Sequence, residues 1–273
     1  MLIHDISSRS NPRFKTFVRL LSGQGVRKSG LGFLSGPKQV KEVLKEFPER
    51  CEAILFTGAD SLAVPEGIDG YRLSAELFRR IDVYGTKGPI VLVRFKPFLT
   101  WDSSEWPKGC TLFVPFQDPG NVGAVIRSAA AFGISRIVVL KEGAHPFHHK
   151  SLKVAGGAVF RIPIFAGPSI QDLGSELFTL ITLSPEGMEL EKFSFPETFG
   201  LLPGLEGSGI PQNLRQMPTL SIRMMRGVES LNAALATGIV MYMWMSKARN
   251  QSWEGFAQGK WRNTFSSDVR GTP

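Results

Sequence analysis

The sequence is poor in cysteine: it contains only Cys51 and Cys110 among 273 residues, and no CxxC pair. This scarcity excludes a disulfide framework and a cysteine-based zinc motif, and it is typical of a protein of the reducing cytoplasm. Residues 1–15 contain no signal-peptide core. The most apolar run, residues 231–245, is shorter than the roughly 20 residues that span a bilayer. Because that run also contains Asn232, it predicts a buried helix and no membrane partner.

Acidic residues are outnumbered, since 32 lysines and arginines face 24 aspartates and glutamates and leave a net charge of +8. A basic chain favours a polyanionic partner such as nucleic acid, although a basic surface also keeps a protein soluble. Charge alone does not decide between these two interpretations. Hydrophobic residues make up 42% of the chain, enough for the core of one large domain or two ordinary ones.

Apolar runs alternate with amphipathic stretches, which predicts an α/β protein. We expect a smaller α/β unit over residues 1–97, a polar linker over 98–108, a second unit over 109–250 and a mostly disordered tail over 251–273. No internal repeat is evident in the sequence.

Each unit has its own predicted elements. In the first, helical spacing is found over 11–30, further helices are expected at 37–49 and 74–82, and strands at 31–36, 51–58 and 88–95. In the second, near-continuous apolar runs predict a parallel sheet that is covered on both faces. Its strands are expected at 111–116, 136–140, 177–184, 199–204 and 219–224, and its helices near 121–132, 148–157, 211–216 and 230–248.

A glycine-rich stretch, PFQDPGNVGAVIRSAAAFG, occupies residues 115–133, where a strand turns into a helix. Its glycine spacing does not match the GxGxxG dinucleotide fingerprint, and no GK[ST] follows as a phosphate-binding loop requires. A tight turn with Asn121 as the helix N-cap explains most of the stretch. It does not explain Arg127, which lies in an otherwise apolar helix and needs an anionic partner if it is buried.

Two later stretches also combine glycines with polar side chains. LLPGLEGSGIP, residues 201–211, is either a loop before a helix or a backbone-lined slot that a planar ligand can approach closely. LSIRMMRGVESLNAALA, residues 220–236, leads from a strand through Gly227 into a helix. Ser230 and Asn232 there are either helix caps or polar groups that bind ligand oxygens at a helix N-terminus.

Taken together, in this order and at these spacings, the three stretches resemble the motifs of SpoU (TrmH) type RNA ribose methyltransferases of the SPOUT class. NPRFKTFVRLLSG and GFLSGPKQVKEVL also resemble the substrate-binding domain that precedes many SpoU domains, so the likeness covers about residues 9–248. It implies a C-terminal parallel-sheet domain with a deep trefoil knot, behind a smaller α/β RNA-binding domain. It also implies S-adenosylmethionine as cofactor and a homodimer formed through the knotted domain.

The resemblance assigns roles to individual residues. The catalytic set falls on Arg127, Asn121, Glu206, Ser230 and Asn232. Cofactor-binding positions fall on Leu183, Gly204, Leu205, Glu206, Gly207, Ile222, Met224 and Leu231. RNA phosphate contacts are expected from the basic residues of the first unit, namely Arg13, Lys15, Arg19, Arg27 and Lys28.

The expected reaction is S-adenosylmethionine-dependent methylation of a ribose 2'-hydroxyl in RNA, with ribosomal RNA preferred over transfer RNA as substrate. Leu205 replaces a usual Asn, Arg223 a common Pro and Ala234 a frequent Ser. These departures keep open a catalytically impaired RNA-binding homologue. A nicotinamide enzyme is disfavoured by the failed glycine spacing.

The segment HPFHHK places three histidines close together, at His145, His148 and His149. A metal site is one interpretation, but no cysteine or carboxylate completes a ligand set and the chemistry of the family needs no metal. We therefore expect no metal, and a surface or RNA-facing cluster instead. Lys150 matches a lysine of the family at this position.

Overall fold

The computed structural model describes residues 2–58, 66–174, 179–205, 209–225, 227 and 230–249, and these form one five-stranded and one six-stranded sheet. The mixed α/β architecture expected from the sequence is confirmed. No helix within these ranges is long and apolar enough to cross a membrane. Residues 251–273, where a disordered tail is predicted, lie outside the described residues.

The first sheet has the strand order β1-β4-β3-β5-β2. β3 pairs in parallel with β4 and antiparallel with β5, so the sheet is mixed. Its strands are β1 Ile3–Ile6, β2 Leu31–Ser35, β3 Cys51–Phe56, β4 Asp69–Leu73 and β5 Ile90–Arg94. The helices of this part are α1 Pro12–Arg19, α2 Gly23–Ser29, α3 Pro37–Glu46 and α4 Ala75–Ile81.

Successive residues of β3 point to opposite faces of this sheet and enter different cores, as strand geometry requires. Ala53 and Leu55 pack in a cluster with Phe14 and Phe17 of α1. Ile54 packs in the large cluster that continues into the second sheet.

Short polar side chains set the helix boundaries in the first unit. Asn11 accepts hydrogen bonds from the first turn of α1, and Ser22 accepts one from the Gly25 N–H, so the helical spacing over 11–30 resolves into two short helices. Ser74 accepts a hydrogen bond from the Leu77 N–H at 3.4 Å and is the N-cap of α4.

The second sheet is parallel throughout, with the order β11-β9-β10-β6-β7-β8. Its strands are β6 Gly109–Val114, β7 Arg136–Val139, β8 Ile164–Ala166, β9 Leu180–Glu189, β10 Thr198–Leu202 and β11 Thr219–Ser221. The helices are α5 Pro119–Phe132, α6 His149–Ala155 and α7 Ala233–Arg249. Leu112 and Phe113, adjacent in β6, belong to different hydrophobic clusters, so both faces of the sheet are covered as predicted.

Several elements differ from the sequence-based expectation. β1, β4 and β8 were not predicted: β1 has three exposed residues, and β8 has three half-buried residues. Both therefore lack the apolar run that marks a buried strand. The helix expected near 211–216 is only a short 3-10 turn over Gln212–Leu214.

The segment predicted as a linker, 98–108, is well packed where it reaches the second sheet. Trp101 is only 8% exposed and stacks edge-on against Phe113. The backbone N–H of Trp101 donates to the Ala166 carbonyl at 2.8 Å, and the backbone N–H of Ala166 donates to the Leu99 carbonyl. The division into units 1–97 and 109–250 and the trefoil knot stay predictions, because strand order and pairing do not test them.

The first sheet packs against α6 and the segment before it. A Cβ added to Gly32 of β2 would lie 2.6 Å from the Phe147 carbonyl oxygen, so this close approach requires glycine. The Tyr84 hydroxyl lies 3.2 Å from His149 Nδ1 of α6. These contacts hold the first unit at a defined position beside α5 and α6, where several of the predicted catalytic residues lie.

Candidate active site

The candidate site is at one edge of the second sheet. β6, β10, β9 and β11 are neighbours and run in parallel, so the segments after their carboxyl ends meet at the same edge. This edge is where open α/β sheets bind ligands. The three sequence motifs all include such a segment: the start of α5 after β6, the loop after β10, and residues 222–232 after β11.

The first motif begins with a capped helix, but the cap is not the predicted one. Asp118 is the N-cap of α5 and accepts a hydrogen bond from the Asn121 N–H at 2.9 Å, while Pro119 occupies the first turn. Asn121 is therefore inside the helix, and its prediction as N-cap is wrong. The dipeptide Asp-Pro before the apolar run was the signal that could have identified the cap.

The position of Asn121 inside α5 lets its side chain reach the third motif. Asn121 Oδ1 accepts a hydrogen bond from Asn232 Nδ2 at 3.0 Å, across 111 residues of sequence. Asn232 Oδ1 in turn accepts from the Leu235 N–H at 3.1 Å, so Asn232 caps α7. The helix-cap role of Asn232 is thus confirmed, while its role in binding ligand oxygens stays a prediction. Ser230 is exposed and precedes the helix by three residues.

Arg127 lies on another side of α5. Its guanidinium Nη1 donates to the Val154 carbonyl of α6 at 3.3 Å, and the side chain is exposed, although Val125 and Ile126 before it are fully buried. The condition that Arg127 needs an anionic partner because of burial is therefore not met. Six residues of helix rotate Arg127 by about 120° from Asn121, so the structure does not bring it to the Asn121–Asn232 pair.

The second motif forms a closed loop. The Leu205 N–H donates to the Gly209 carbonyl and the Gly209 N–H to the Leu205 carbonyl, both at 3.0 Å. A Cβ on Gly204 would lie 3.2 Å from Gly209 Cα, and Gly209 itself has φ of +68°. A side chain at Gly204 would therefore crowd the loop, and the positive φ of Gly209 favours glycine. Two predicted site residues of the loop, Glu206 and Gly207, lie outside the described residues.

The remaining cofactor-binding candidates surround the same edge of the sheet. Leu183 of β9 and Ile222 after β11 are partly buried and pack against the large core. Met224 and Leu231 are half-buried. These four apolar side chains and the loop at Gly204 could cover the planar part of a ligand, while the backbone of the loop offers hydrogen-bonding groups.

Two of the unusual residues have simple structural accounts. Arg223 is exposed, and its Nη2 lies 3.1 Å from Glu189 Oε2. Ion pairs with Lys192 and then Arg223 lower the pKa of Glu189. Arg223 is thereby held by β9, at the base of the third motif. Ala234 is 6% exposed in the first turn of α7, where a small side chain fits the core.

The predicted RNA-binding residues all lie on α1 and α2, and all five are exposed: Arg13, Lys15, Arg19, Arg27 and Lys28. Burial and then the positive charge of Arg27 of α2 lower the pKa of His145. Burial also lowers the pKa of His148, against the opposing negative charge of Asp118 at the start of α5.

The three histidines each have a separate structural role. His145 Nδ1 accepts from the Phe147 N–H at 3.1 Å, His148 Nδ1 caps α6, and His149 contacts Tyr84. Burial lowers the pKa of His145 and of His149 to about 4, so both rings are neutral at pH 7. Within the described ranges no group of three His, Cys, Asp or Glu residues could hold a metal ion.

Comparisons with known proteins find similar sequences over most of the chain. A family model described as the SpoU rRNA Methylase family matches residues 111–242. The "Ribosomal RNA small subunit methyltransferase G 2" of Syntrophobacter fumaroxidans is 44% identical over 88% of this chain and 48% of its own length. The 23S rRNA (guanosine(2553)-2'-O)-methyltransferase RlmP of Bacillus subtilis is 29% identical over 87% of this chain and 97% of its own length.

A solved structure shares the fold over most of its length. The AdoMet-bound rRNA methyltransferase from Sinorhizobium meliloti has a TM-score of 0.71, with 20% identity, over 92% of this chain and 98% of that one. The two sheets thus have the fold of that rRNA methyltransferase structure. This chain is therefore similar to the SpoU family of RNA methyltransferases, whose model matches residues 111–242. It spans about half the length of the Syntrophobacter relative.

Proposed function

We propose that this protein transfers a methyl group from S-adenosylmethionine to a ribose 2'-hydroxyl of RNA, and that the RNA is ribosomal. The observation that carries the proposal is the hydrogen bond between Asn121 and Asn232, which joins the first and third motifs beside the loop at Gly204. The names of the two relatives support ribosomal RNA as the substrate class, although one refers to the small subunit and the other to 23S rRNA.

The fit of the cofactor rests on the glycine loop. Gly204 and Leu205 would hold it through backbone groups, because a side chain at Gly204 would crowd the backbone of Gly209. Leu183, Ile222 and Leu231 would pack on its apolar part, with Met224 and the neighbouring Glu206 and Gly207 completing the site. When bound, S-adenosylmethionine supplies an electrophilic methyl group.

The protein residues must position a weak nucleophile. A neutral ribose hydroxyl attacks poorly unless it is oriented and its proton is removed. The carboxamides of Asn121 and Asn232, with the hydroxyl of Ser230 and the carboxylate of Glu206, are the groups that could hold the ribose. The N-terminal ends of α5 and α7 add a positive potential at the same place.

Arg127 has a positioning role in this proposal. A guanidinium is protonated at any physiological pH, so Arg127 is a poor general base. It would instead bind a phosphate next to the target ribose and fix the direction of attack, and alignment of this kind accounts for much of the rate in bimolecular reactions. Its exposed side chain is compatible with that role.

We also propose a homodimer, formed through the face of α7 that is exposed in the single chain. Leu235 and Tyr242 are 54% and 51% exposed and lie seven residues apart, on one side of the helix. A second copy of this chain would cover them, as the resemblance implies for the knotted domain.

The test of the proposed function is methyl transfer by the purified protein. Tritiated S-adenosylmethionine is incubated with ribosomal RNA from a strain that lacks this protein, and the digested nucleosides are separated. We expect label in a 2'-O-methylated nucleoside, with transfer RNA from the same strain unlabelled. Label in transfer RNA alone would show that transfer RNA, and not ribosomal RNA, is the substrate. Calorimetry that detects RNA binding but no S-adenosylmethionine binding would show that the protein is only an RNA-binding homologue.

A further inference from the structure

A small cleft of about 80 Å³ lies where α3 of the first unit meets α5 and α6. Its lining includes Lys38, Gln39 and Glu42 from α3, together with Arg127, Gly156 and Arg161 from the second unit. Arg127, the residue assigned to the substrate phosphate, therefore faces three side chains of the first unit. The resemblance assigned no role to Lys38, Gln39 or Glu42.

The positive charges of the cleft exceed what its carboxylates neutralise. Arg161 is ion-paired with Glu46 and lies 3.9 Å from Glu42, so these acidic groups already have a cationic partner. Within the described parts of the chain, neither Lys38 nor Arg127 has a carboxylate within ion-pair distance. Lys38, Arg127 and Arg161 thus carry three positive charges against two negative charges on Glu42 and Glu46, and this excess favours an anionic ligand.

Gln39 contributes a fixed polar group to the same cleft. Its side chain lies between two glycines: a Cβ on Gly36 would be 2.6 Å from Gln39 Oε1, and a Cβ on Gly156 would be 3.4 Å from Gln39 Cγ. Both glycines have positive φ, +109° and +56°. Lys153 Nζ lies 3.2 Å from the same Gly36 Cβ position, which brings a third cation close to Gln39.

The volume of the cleft indicates the size of the ligand. A water molecule takes about 30 Å³ in the liquid, so this space holds roughly two to three waters. That is enough for a phosphate group and too little for a nucleoside. A phosphate also matches the available donors, which are an ammonium, a guanidinium and a carboxamide.

We propose that this cleft binds one phosphodiester group of the RNA substrate, with Lys38 and Gln39 of the first unit and Arg127 of the second as its donors. Lys153 adds positive potential at the opening. The identity of the ligand as RNA rests on the proposed function. The consequence is that both units hold the same phosphate, so the first unit positions the strand at the active site in addition to binding RNA through α1 and α2.

The test is the salt dependence of RNA binding by the full chain. The probe is a fluorescent 15-nucleotide single-stranded RNA of mixed sequence, and the anisotropy titration is repeated between 50 and 200 mM KCl. Each phosphate contact adds about 0.7 to the slope of log K against log salt for single strands. We expect Lys38→Ala to reduce that slope by about 0.7 and Lys38→Arg to retain it.

The matched control is Lys45→Ala, which removes the same charge from the same helix two turns away, about 10 Å along the axis. Its slope should equal that of the wild type, and heats of S-adenosylmethionine binding should be the same in all variants. Equal slopes for Lys38→Ala and wild type would overturn the proposal that the cleft binds a phosphate. An equal loss of slope in Lys38→Ala and Lys45→Ala would overturn it as well. Absence of methyl transfer by the wild type, with the slope difference present, would overturn only the proposed function.

Discussion

Replacement of Asn232 separates its structural role from its role at the site. Asn232→Ala removes both the cap of α7 and the hydrogen bond to Asn121. A lost cap costs about 1 kcal/mol and a lost hydrogen bond about 1 kcal/mol, so we expect the free energy of unfolding to fall by about 2 kcal/mol. For a chain of this size that lowers Tm by about 4–8 °C.

Asn232→Ser should behave differently in stability but not in activity. Serine caps a helix about as well as asparagine, so the loss should be limited to about 1 kcal/mol from the missing bond to Asn121. Both variants lose the carboxamide that we assign to ribose positioning. We therefore expect kcat for methyl transfer to fall about 100-fold in each, the size of effect that a misplaced reactant produces.

Thermal unfolding and initial rates of tritium transfer, measured on the same preparations, test whether Asn232 positions the ribose or only stabilises α7. Ser74→Ala is the control, because it removes a comparable N-cap from α4, far from the site, and should lower Tm while leaving kcat unchanged. If Asn232→Ser kept wild-type kcat, or if kcat simply followed Tm across the three variants, the positioning role would be refuted.

Three further predictions concern the loop, the histidines and the exposed helix face. Gly204→Ala should weaken S-adenosylmethionine binding about tenfold by calorimetry, because crowding a packed backbone costs about 1–3 kcal/mol. The control Gly23→Ala has nothing within 4 Å of its new Cβ and should leave S-adenosylmethionine binding unchanged. The pKa of His145 and of His149 is about 4 in the folded chain and 6.5 in the unfolded chain, so the unfolded chain binds more protons between these values. The free energy of unfolding should therefore fall as pH drops from 6.5 to 4.5. A free energy of unfolding that does not change over this pH range would contradict neutral, buried rings. Tyr242→Arg should shift the protein from dimer to monomer in sedimentation velocity, and an unchanged dimer would exclude this face of α7 as the interface.

The parallel sheet and the position of the motifs could be predicted because they depend on local patterns. Near-continuous apolar runs indicate strands that are buried on both faces, and strands such as β6 match this description. β1 could not be found in the same way. It is an edge strand with three exposed residues, and it is held by its pairing with β4 rather than by burial.

The side-chain geometry of the site depended on tertiary contacts that spacing does not reveal. Local sequence made Asn121 a plausible cap, yet Asp118 has that role, and the Asn121 side chain instead accepts a hydrogen bond from Asn232 beside α7. Arg127 follows two buried residues but lies on the side of α5 that meets α6. Lys38 is 89 positions away from Arg127 in the sequence, and only the packing of the two units brings both to one cleft.

The central claim is that this protein methylates a ribose in ribosomal RNA, and single-nucleotide mapping of ribose methylation tests it most directly. The map is compared between a strain that lacks the protein, the same strain supplied with the wild-type chain, and one supplied with Arg127→Ala. We predict that one or a few 2'-O-methyl groups of ribosomal RNA are absent in the first and third strains and restored in the second. Identical maps of ribosomal and transfer RNA in all three strains would contradict the claim.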